Sequence, residues 1–401
     1  MTEPLPPTIR RLGWLHFAND LTLDAITPLL PAGVPAAWLG VMEGAADAVG
    51  QVLKLVTGRL SDATGRRVPW VQAGYGANAV ARPLAAVGMF FAWPLWIVGC
   101  RVLDRLGKGL RGAASDALVA DWTSGGARTL AYARMRTLDH LGATLGALGA
   151  AAAAWLLALD YAHPERVAWV VAALVLPMGW MLWLCRGLED QPAPSVKPLI
   201  TGWWPTDAGL RLPLAAIAIA SIGARLAPLL VLVQVAHIPM TPEAAQAGGA
   251  WPVWLVCLAW GGLALIQAGA AALAGVFTER LGARAFLVVG WLIGAGLFAA
   301  LTMTQGPWLI VAGAAWGVLA GLTDGAEKTW LANLAPKEQR ARAFGAMGLL
   351  AAIAALVGSG SVGLMLAHSG PAAFWLPAGA LVAGVGVMAV AGRRGAAGGG
   401  R

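Results

Sequence analysis

Acids and bases sit inside stretches of this chain that are otherwise apolar, and their spacing carries its chemistry. Asp20 and Asp24 are four residues apart, so on a helix they share one face. Two carboxylates so placed are suited to sharing a proton, or to alternating between a proton and a solute. Glu43, Asp47 and Lys54 fall on one stripe of the next apolar stretch. Arg101, Asp104, Arg105, Lys108 and Arg111 crowd into an arc of about 120° on a helix. Gly107, Gly109 and Gly112 thin that same helix, so a neighbour or ligand can come close. Asp116 follows, then Asp139 and His140 in the next stretch. The later half is drier, with Arg225 and then Asp324, Glu327 and Lys328. Charge in hydrocarbon is costly and rarely faces lipid, so these groups either pair with one another or serve a solute.

The elements that must position them are membrane helices. The chain is 58% hydrophobic and only 12% charged, where a soluble domain carries roughly 25% charged residues. Mean hydropathy of +0.68 with 53 Gly and 20 Trp excludes a soluble enzyme. A spanning helix needs about 20 mostly apolar residues, and such stretches fall at 12–31, 36–56, 69–89, 93–118, 134–159 and 167–184, then at 212–236, 251–277, 285–304, 308–331, 341–367 and 372–391. Between the two sets, 186–211 is polar and Pro-rich. The expected organisation is a six-helix bundle over 1–185, a cytoplasmic linker over 186–211 and a second six-helix bundle over 212–401. Cys100, Cys185 and Cys257 sit singly in apolar runs and read as buried small hydrophobes. The polar, Pro-rich Met1–Arg11 lacks the pattern of a signal peptide.

Lys and Arg gather on one alternating set of connecting segments, from Arg10 and Arg11 through Arg66, Arg67 and Arg284 to Arg393 and Arg394, while the opposite set holds Arg166. Positive charge stays cytoplasmic, which puts both termini and the linker on that side. Attraction to anionic lipid headgroups is a sufficient reason for the net charge of +8, without nucleic acid.

Gly58-Arg-Leu-Ser-Asp62-Ala-Thr-Gly65-Arg66-Arg67 returns as Gly275-Val-Phe-Thr-Glu279-Arg-Leu-Gly282-Ala-Arg284. Both copies read Gly-x-x-x-acid-x-x-Gly-x-Arg and follow the second apolar stretch of their half. This duplicated loop resembles that of the major facilitator superfamily of secondary transporters. Further segments are similar to a bacterial subgroup linked with nickel resistance and with siderophore or drug movement: the first helix from Phe17 to Pro31, Gly74-Tyr75, Arg82-Pro83, Arg101 through Arg111, Asp324 through Lys328, and Arg342 through Gly345. Ala114-Ser115 stands where the subgroup has Pro-Arg. Ala147 replaces the Pro of the exporter motif that Gly142 to Gly146 resembles.

The resemblance implies an all-α membrane protein of twelve transmembrane helices in two pseudo-symmetric bundles, with the first, fourth, seventh and tenth lining a central cavity. Asp20 and Asp24 then read as proton-coupling residues. Those two with Glu43, Arg101, Arg105, Arg225 and Asp324 read as substrate-binding. Gly58, Asp62, Arg66, Arg67, Asp116, Gly275 and Glu279 read as gating. Asp47, Lys54, Asp104, Lys108, Arg111, Asp139, Glu327 and Lys328 read as a structural charge network. Arg225 has no acid near it in sequence, so its expected partner is the solute or Asp20 or Asp24 across the cavity. His16 and His140 are capable of carrying protons but read as hydrogen-bonded packing residues.

No Gly-rich Lys-Ser/Thr loop, nucleophile–base set or metal cluster is present, so neither an enzyme nor a bound cofactor or metal is expected. The expected function is a proton-coupled secondary transporter, a monomer in a bacterial inner membrane surrounded by lipid. Its solute is small and either charged or zwitterionic, and efflux is the favoured direction. Import of a metal chelate or siderophore, export of a metal cation or drug, and a non-transporting receptor remain alternatives.

Overall fold

The computed structural model describes residues 5–123, 125–191, 205, 207–236, 251–303, 308–335 and 340–398. Of the expected linker, 192–204 and 206 lie outside them. The described residues form helices: α1 Pro7–Ile26, α2 Ala36–Thr64, α3 Val68–Phe90, α4 Pro94–Trp122, α5 Gly125–Leu156, α6 Pro164–Ala173 and α7 Val175–Cys185. They continue with α8 Arg211–Ala224, α9 Pro228–Ala236, α10 Val253–Leu281, α11 Ala283–Met303, α12 Trp308–Leu334, α13 Arg340–Ser369 and α14 Trp375–Gly398. Five stretches are apolar and long enough to cross a membrane among the described residues: Pro164–Cys185, Ala208–Leu232, Val253–Ala270, Ala283–Met303 and Gly345–Val390. Helices such as α2 and α4 have the length but carry the intramembrane charges noted above.

Prolines break three of the expected helices. The first ends at Ile26 and tightens into a 3₁₀ turn over Thr27–Ala32, which holds Pro28 and Pro31. The expected helix over 167–184 divides at Leu174, because Pro177 has no N–H for the carbonyl of Ala173. The expected helix over 212–236 divides between Ala224 and Pro228. Pro228 has no N–H for Ala224, and it drives Ala227 away from helical geometry. Other helices run longer than expected. α2 and α10 carry most of the repeated motif in their last turns, so the turn itself is short. It is made by Gly65 at φ 64° and Gly282 at φ 76°, a left-handed conformation that costs any residue with a Cβ about 1–2 kcal/mol.

The chain forms two compact units. The first gathers Met1–Pro35, Val49–Leu199 and Pro252–Ala264. The second gathers Ala36–Ala48, Ile200–Trp251 and Leu265–Arg401. Each therefore takes one segment from the other half of the sequence. In the first unit α1 packs along α5 and α3 along α4. A Cβ on Gly142 or Gly146 of α5 would run into the carbonyl oxygens of Phe17 and Leu21 of α1. Gly74 and Gly107 lie 2.5 Å from each other's carbonyls on the same construction. Small residues thus let backbones meet where lipid gives no hydrophobic drive for association. In the second unit α8 packs on α13 and α14, and Gly358 faces the carbonyl of Ile222 as Gly146 faces that of Leu21. Gly40 and Gly44 of α2 face Ser359 and Ala355 of α13 in the same way. Large apolar side chains such as Trp155, Trp169, Leu176 and Trp183 are mostly exposed, as a lipid-facing surface requires.

Candidate functional site

The first unit assembles a polar network around α1. Its hub is Arg82 of α3, which is 2% exposed. Arg82 Nε donates to Asp104 Oδ1 at 2.7 Å, and its Nη atoms donate to Asn19 O at 2.6 Å, to Asn19 Oδ1 at 2.9 Å and to Thr22 Oγ1. One guanidinium therefore joins α1, α3 and α4. Five fixed N–H groups suit such a role, and burial without partners would be prohibitive. Sequence reasoning left Arg82 out of the charge inventory and kept it only as part of a motif. Its signal was there, because it is the single charged residue of α3.

Two arms leave Asp104. Through Arg82 and Asn19 the first reaches Asp20, whose Oδ1 accepts from Asn19 Nδ2 at 2.6 Å. One turn on, Asp24 Oδ1 accepts from Trp260 Nε1 at 2.8 Å. Trp260 is on the α10 segment that belongs to the first unit, a partner the sequence did not point to. Along the second arm, Asn78 Nδ2 donates to Asp104 Oδ1 at 2.8 Å and Asn78 Oδ1 accepts from Arg111 Nε at 3.3 Å. Arg111 lies over the Tyr75 ring, 4.6 Å from its centroid. The edge of Tyr75 meets the His16 ring at 6.4 Å. His16 bonds Asp139 Oδ1 through Nδ1 at 2.9 Å and Ser115 Oγ through Nε2 at 3.1 Å. In the sequence Ser115 stands out only as a departure from the subgroup's pattern. The expected charge arc on α4 is thus drawn into contacts with α3, and Arg101 lies 3.7 Å from Asp104.

The gating candidates divide. Arg67, the arginine of the first repeat, donates from Nη1 to Ser61 Oγ at 2.8 Å and from Nε to Asp121 Oδ2 at 3.2 Å. The start of α3 is capped by Asp190, whose Oδ1 accepts from the backbone of Arg67 at 2.7 Å and of Val68 at 2.9 Å. Neither Asp190 nor Asp121 stands out in the sequence. Arg66 keeps a backbone contact to Thr64 Oγ1 at 3.4 Å. Gly58 packs toward Ala113, 3.2 Å from a built Cβ. Asp116 lies 3.7 Å from Lys54, both about half exposed. Glu43, Asp47 and Lys54 all lie on the continuous helix α2, and Glu43 is buried. Arg105 is half-buried and Lys108 exposed. Gly275 and the side chains of Asp62, Glu279, Asp324 and Lys328 lie outside the described residues.

In the second unit Arg225 caps α8 with φ −106° and ψ 21°, a sparsely allowed conformation typical of turns and sites. Its Nη2 donates to Glu327 Oε2 at 2.9 Å. Its partner is therefore an acid of its own unit, where the sequence reading offered the solute, Asp20 or Asp24. Glu327 is 3% exposed at the side chain and Arg225 24%. The next free backbone donor, Ala227 N–H, reaches Ser359 Oγ at 3.0 Å, so α13 repairs the break. Ser221, one turn earlier, is buried, and its Oγ has no hydrogen-bond partner among the described residues.

Residues 254–398 match the family model of the Major Facilitator Superfamily. Over 352 residues the chain is 29% identical to an uncharacterized protein of Mycobacterium tuberculosis (strain ATCC 25618 / H37Rv), covering 82% of this chain and 80% of that one. It is 26% identical over 199 residues to an uncharacterized MFS-type transporter of Methanocaldococcus jannaschii, covering 48% and 47% of the two chains. Its fold is similar to the crystal structure of the nucleoside transporter NupG, with a TM-score of 0.71 at 13% identity over 96% of this chain and 99% of that one. Residues 254–398 thus resemble the Major Facilitator Superfamily, and the chain shares the fold of a solved transporter.

Proposed function

We propose that the protein is a proton-coupled secondary transporter of a bacterial inner membrane that exports a small charged or zwitterionic organic solute by alternating access. The observation that carries this reading is the acid pair of α1. Asp24 is bonded to Trp260 and Asp20 to Asn19, so each carboxylate is tied to the packing of a helix. An ionised carboxylate accepts a hydrogen bond about twice as strongly as a neutral one. Protonation of Asp24 therefore loosens the α1–α10 contact, and protonation of Asp20 loosens its hold on Asn19 and, through it, on Arg82. Proton binding becomes a change in helix packing.

The arginine at the α8–α9 break supports the solute class. A carboxylate or phosphate of a solute matches the guanidinium fork and competes with Glu327 for it. Water reaches Arg225, at 24% exposure, more readily than it reaches Arg82, at 2%. Glu43, Arg101, Arg105 and Asp324 are the remaining candidates for solute contact, and the repeated turns around Arg67 and Arg284 are the gates.

The test is flux. An uptake and efflux screen in inverted vesicles identifies the solute, and purified protein in liposomes then carries it under an imposed pH gradient. Asp20→Asn with Asp24→Asn should abolish gradient-driven accumulation while downhill solute exchange persists. Gradient-driven accumulation at the parent rate in that double variant would exclude the acid pair as proton carriers.

A further inference from the structure

We propose that His16 and Asp139 form a third proton station, next in line after Asp24 and Asp20 on α1. The inference rests on the reading of those two acids as proton carriers and extends it to a residue pair outside them. His16, Asp20 and Asp24 follow at spacings of four, so they lie within about 80° of one another on the helix surface, each step rising about 6 Å. The three rungs have different fixed partners: Trp260 for Asp24, Asn19 for Asp20, and Asp139 with Ser115 for His16. A histidine held between a carboxylate and a hydroxyl suits both protonation states. As a neutral ring it donates from Nδ1 to Asp139 and accepts at Nε2 from Ser115. As a cation it donates from both nitrogens, and Ser115 Oγ turns to accept.

The station differs from the neighbouring Arg82–Asp104 pair in two ways. Arginine does not give up its proton in a protein, whereas histidine exchanges it near neutrality. The side chains of His16 and Asp139 are 15% and 14% exposed, against 2% and 4% for Arg82 and Asp104. The first pair is within reach of water and the second is sealed. The groups around His16 are Asp20 on α1, Tyr75 on α3, Ser115 on α4 and Asp139 on α5, with Arg111 of α4 lying over Tyr75. The transfer is balanced: the O–H bond of protonated Asp20 breaks, an N–H bond forms on the imidazole, Asp20 is left as carboxylate, and Asp139 compensates the imidazolium.

Histidine titration by nitrogen NMR of the full-length protein in lipid nanodiscs reads this coupling with no transported solute. The chain has five histidines, and H16Q identifies the resonance. Across a pH series the His16 signal should differ in D20N and in S115A from that of the parent, while that of His163, bonded to Asp160 instead, stays the same as the internal control. A His16 signal that does not change with pH, or that is the same in D20N as in the parent throughout the series, overturns the proposal. In flux, H16Q should slow gradient-driven transport about tenfold and leave solute exchange intact. Parent-like gradient-driven flux in H16Q beside an uncoupled D20N/D24N variant overturns the station alone. Parent-like flux in both overturns the station and the acid pair together.

Discussion

The two units handle buried charge in opposite ways. In the first, Arg82 is sealed on α3 and bonded to two further helices at once, and the chain around it runs as unbroken helix. In the second, Arg225 stands at a break between α8 and α9 and donates to Glu327. A sealed hub with every bond made is hard to rearrange, because moving any member strands a charge. A half-buried guanidinium at a helix break has water as an alternative partner, so its pairing can be exchanged. The contrast separates a sealed charge that joins helices from one at a helix break that water also reaches.

The sharpest way to break that contrast is to remove one partner from each pair. Asp104→Asn leaves Arg82 without its acid in the sealed core, and Arg82→Ala leaves Asp104 with the more distant Arg101; losing one partner of such a buried pair costs about 3–5 kcal/mol. Little folded protein should survive extraction, as judged by size-exclusion profile and thermal unfolding in detergent. Glu327→Gln keeps the shape and leaves Arg225 within reach of water, so its loss should be less than half as large and show mainly in transport. Equal destabilisation by Arg82→Ala and Glu327→Gln would make both pairs structural and remove the distinction.

The glycine contacts come next in size, and here the units should agree. Gly146→Ala and Gly358→Ala each push a Cβ against a backbone carbonyl, of Leu21 and of Ile222. Carbonyls on a packed helix cannot step aside, so each substitution should cost about 1–3 kcal/mol. Gly58→Ala meets only the methyl of Ala113 at 3.2 Å and should be milder than either. Thermal unfolding of the three variants in one detergent orders them; a Gly58→Ala as damaging as Gly146→Ala would put the tight crossing at α2–α4 instead.

Most of the helical plan was legible in the sequence because apolar length and charge are local properties. The helix breaks were legible too and were passed over: Pro177 and Pro228 sit inside the stretches read as continuous. The network is a different case. Asp20, Asp104 and Arg111 stand out as charges in apolar runs, but Asn19, Asn78 and Ser115 are ordinary polar residues until packing brings them to a charge. Trp260 is one of 20 tryptophans, and only the fold sets it against Asp24. Asp121 and Asp190 reach Arg67 across 54 and 123 residues, a separation no local pattern reveals. The partner of Arg225 was missed for a related reason, since Glu327 is 102 residues away.

The repeated turns give a finer test of equivalence between the units. Gly65→Ala and Gly282→Ala force the same left-handed backbone on a residue with a Cβ, and each should cost about 1–2 kcal/mol. The arginines that follow are not equivalent. Arg67 holds Ser61 and Asp121, whereas Arg284 donates to the Met388 carbonyl at 3.1 Å. Arg67→Ala should therefore lower stability and transport more than Arg284→Ala. A reversed order would move the gate to the second repeat.

The smallest expected effect lies in the connection between α5 and α6, where a pair of local contacts stands in for the long-range bonds of Arg67. Asp160 Oδ1 accepts from the His163 ring at 2.7 Å and from the His163 backbone N–H at 2.9 Å. The hydrogen bond from the His163 ring, followed by that from its backbone, holds the Asp160 carboxyl below its ordinary 3.8. A carboxyl with a depressed folded value adds stability above its unfolded value and loses it as pH falls through the folded one. Asp160→Asn keeps an oxygen for the backbone N–H and removes the charge. The parent should therefore unfold at a slightly higher temperature than this variant near neutral pH, and the gap should close below about pH 4. The pair is exposed and spans three residues, so solvent screening keeps the gap small. A gap as wide as that of Arg67→Ala would mean that this turn, and not the long-range bonds at Arg67, is where the first unit is fastened.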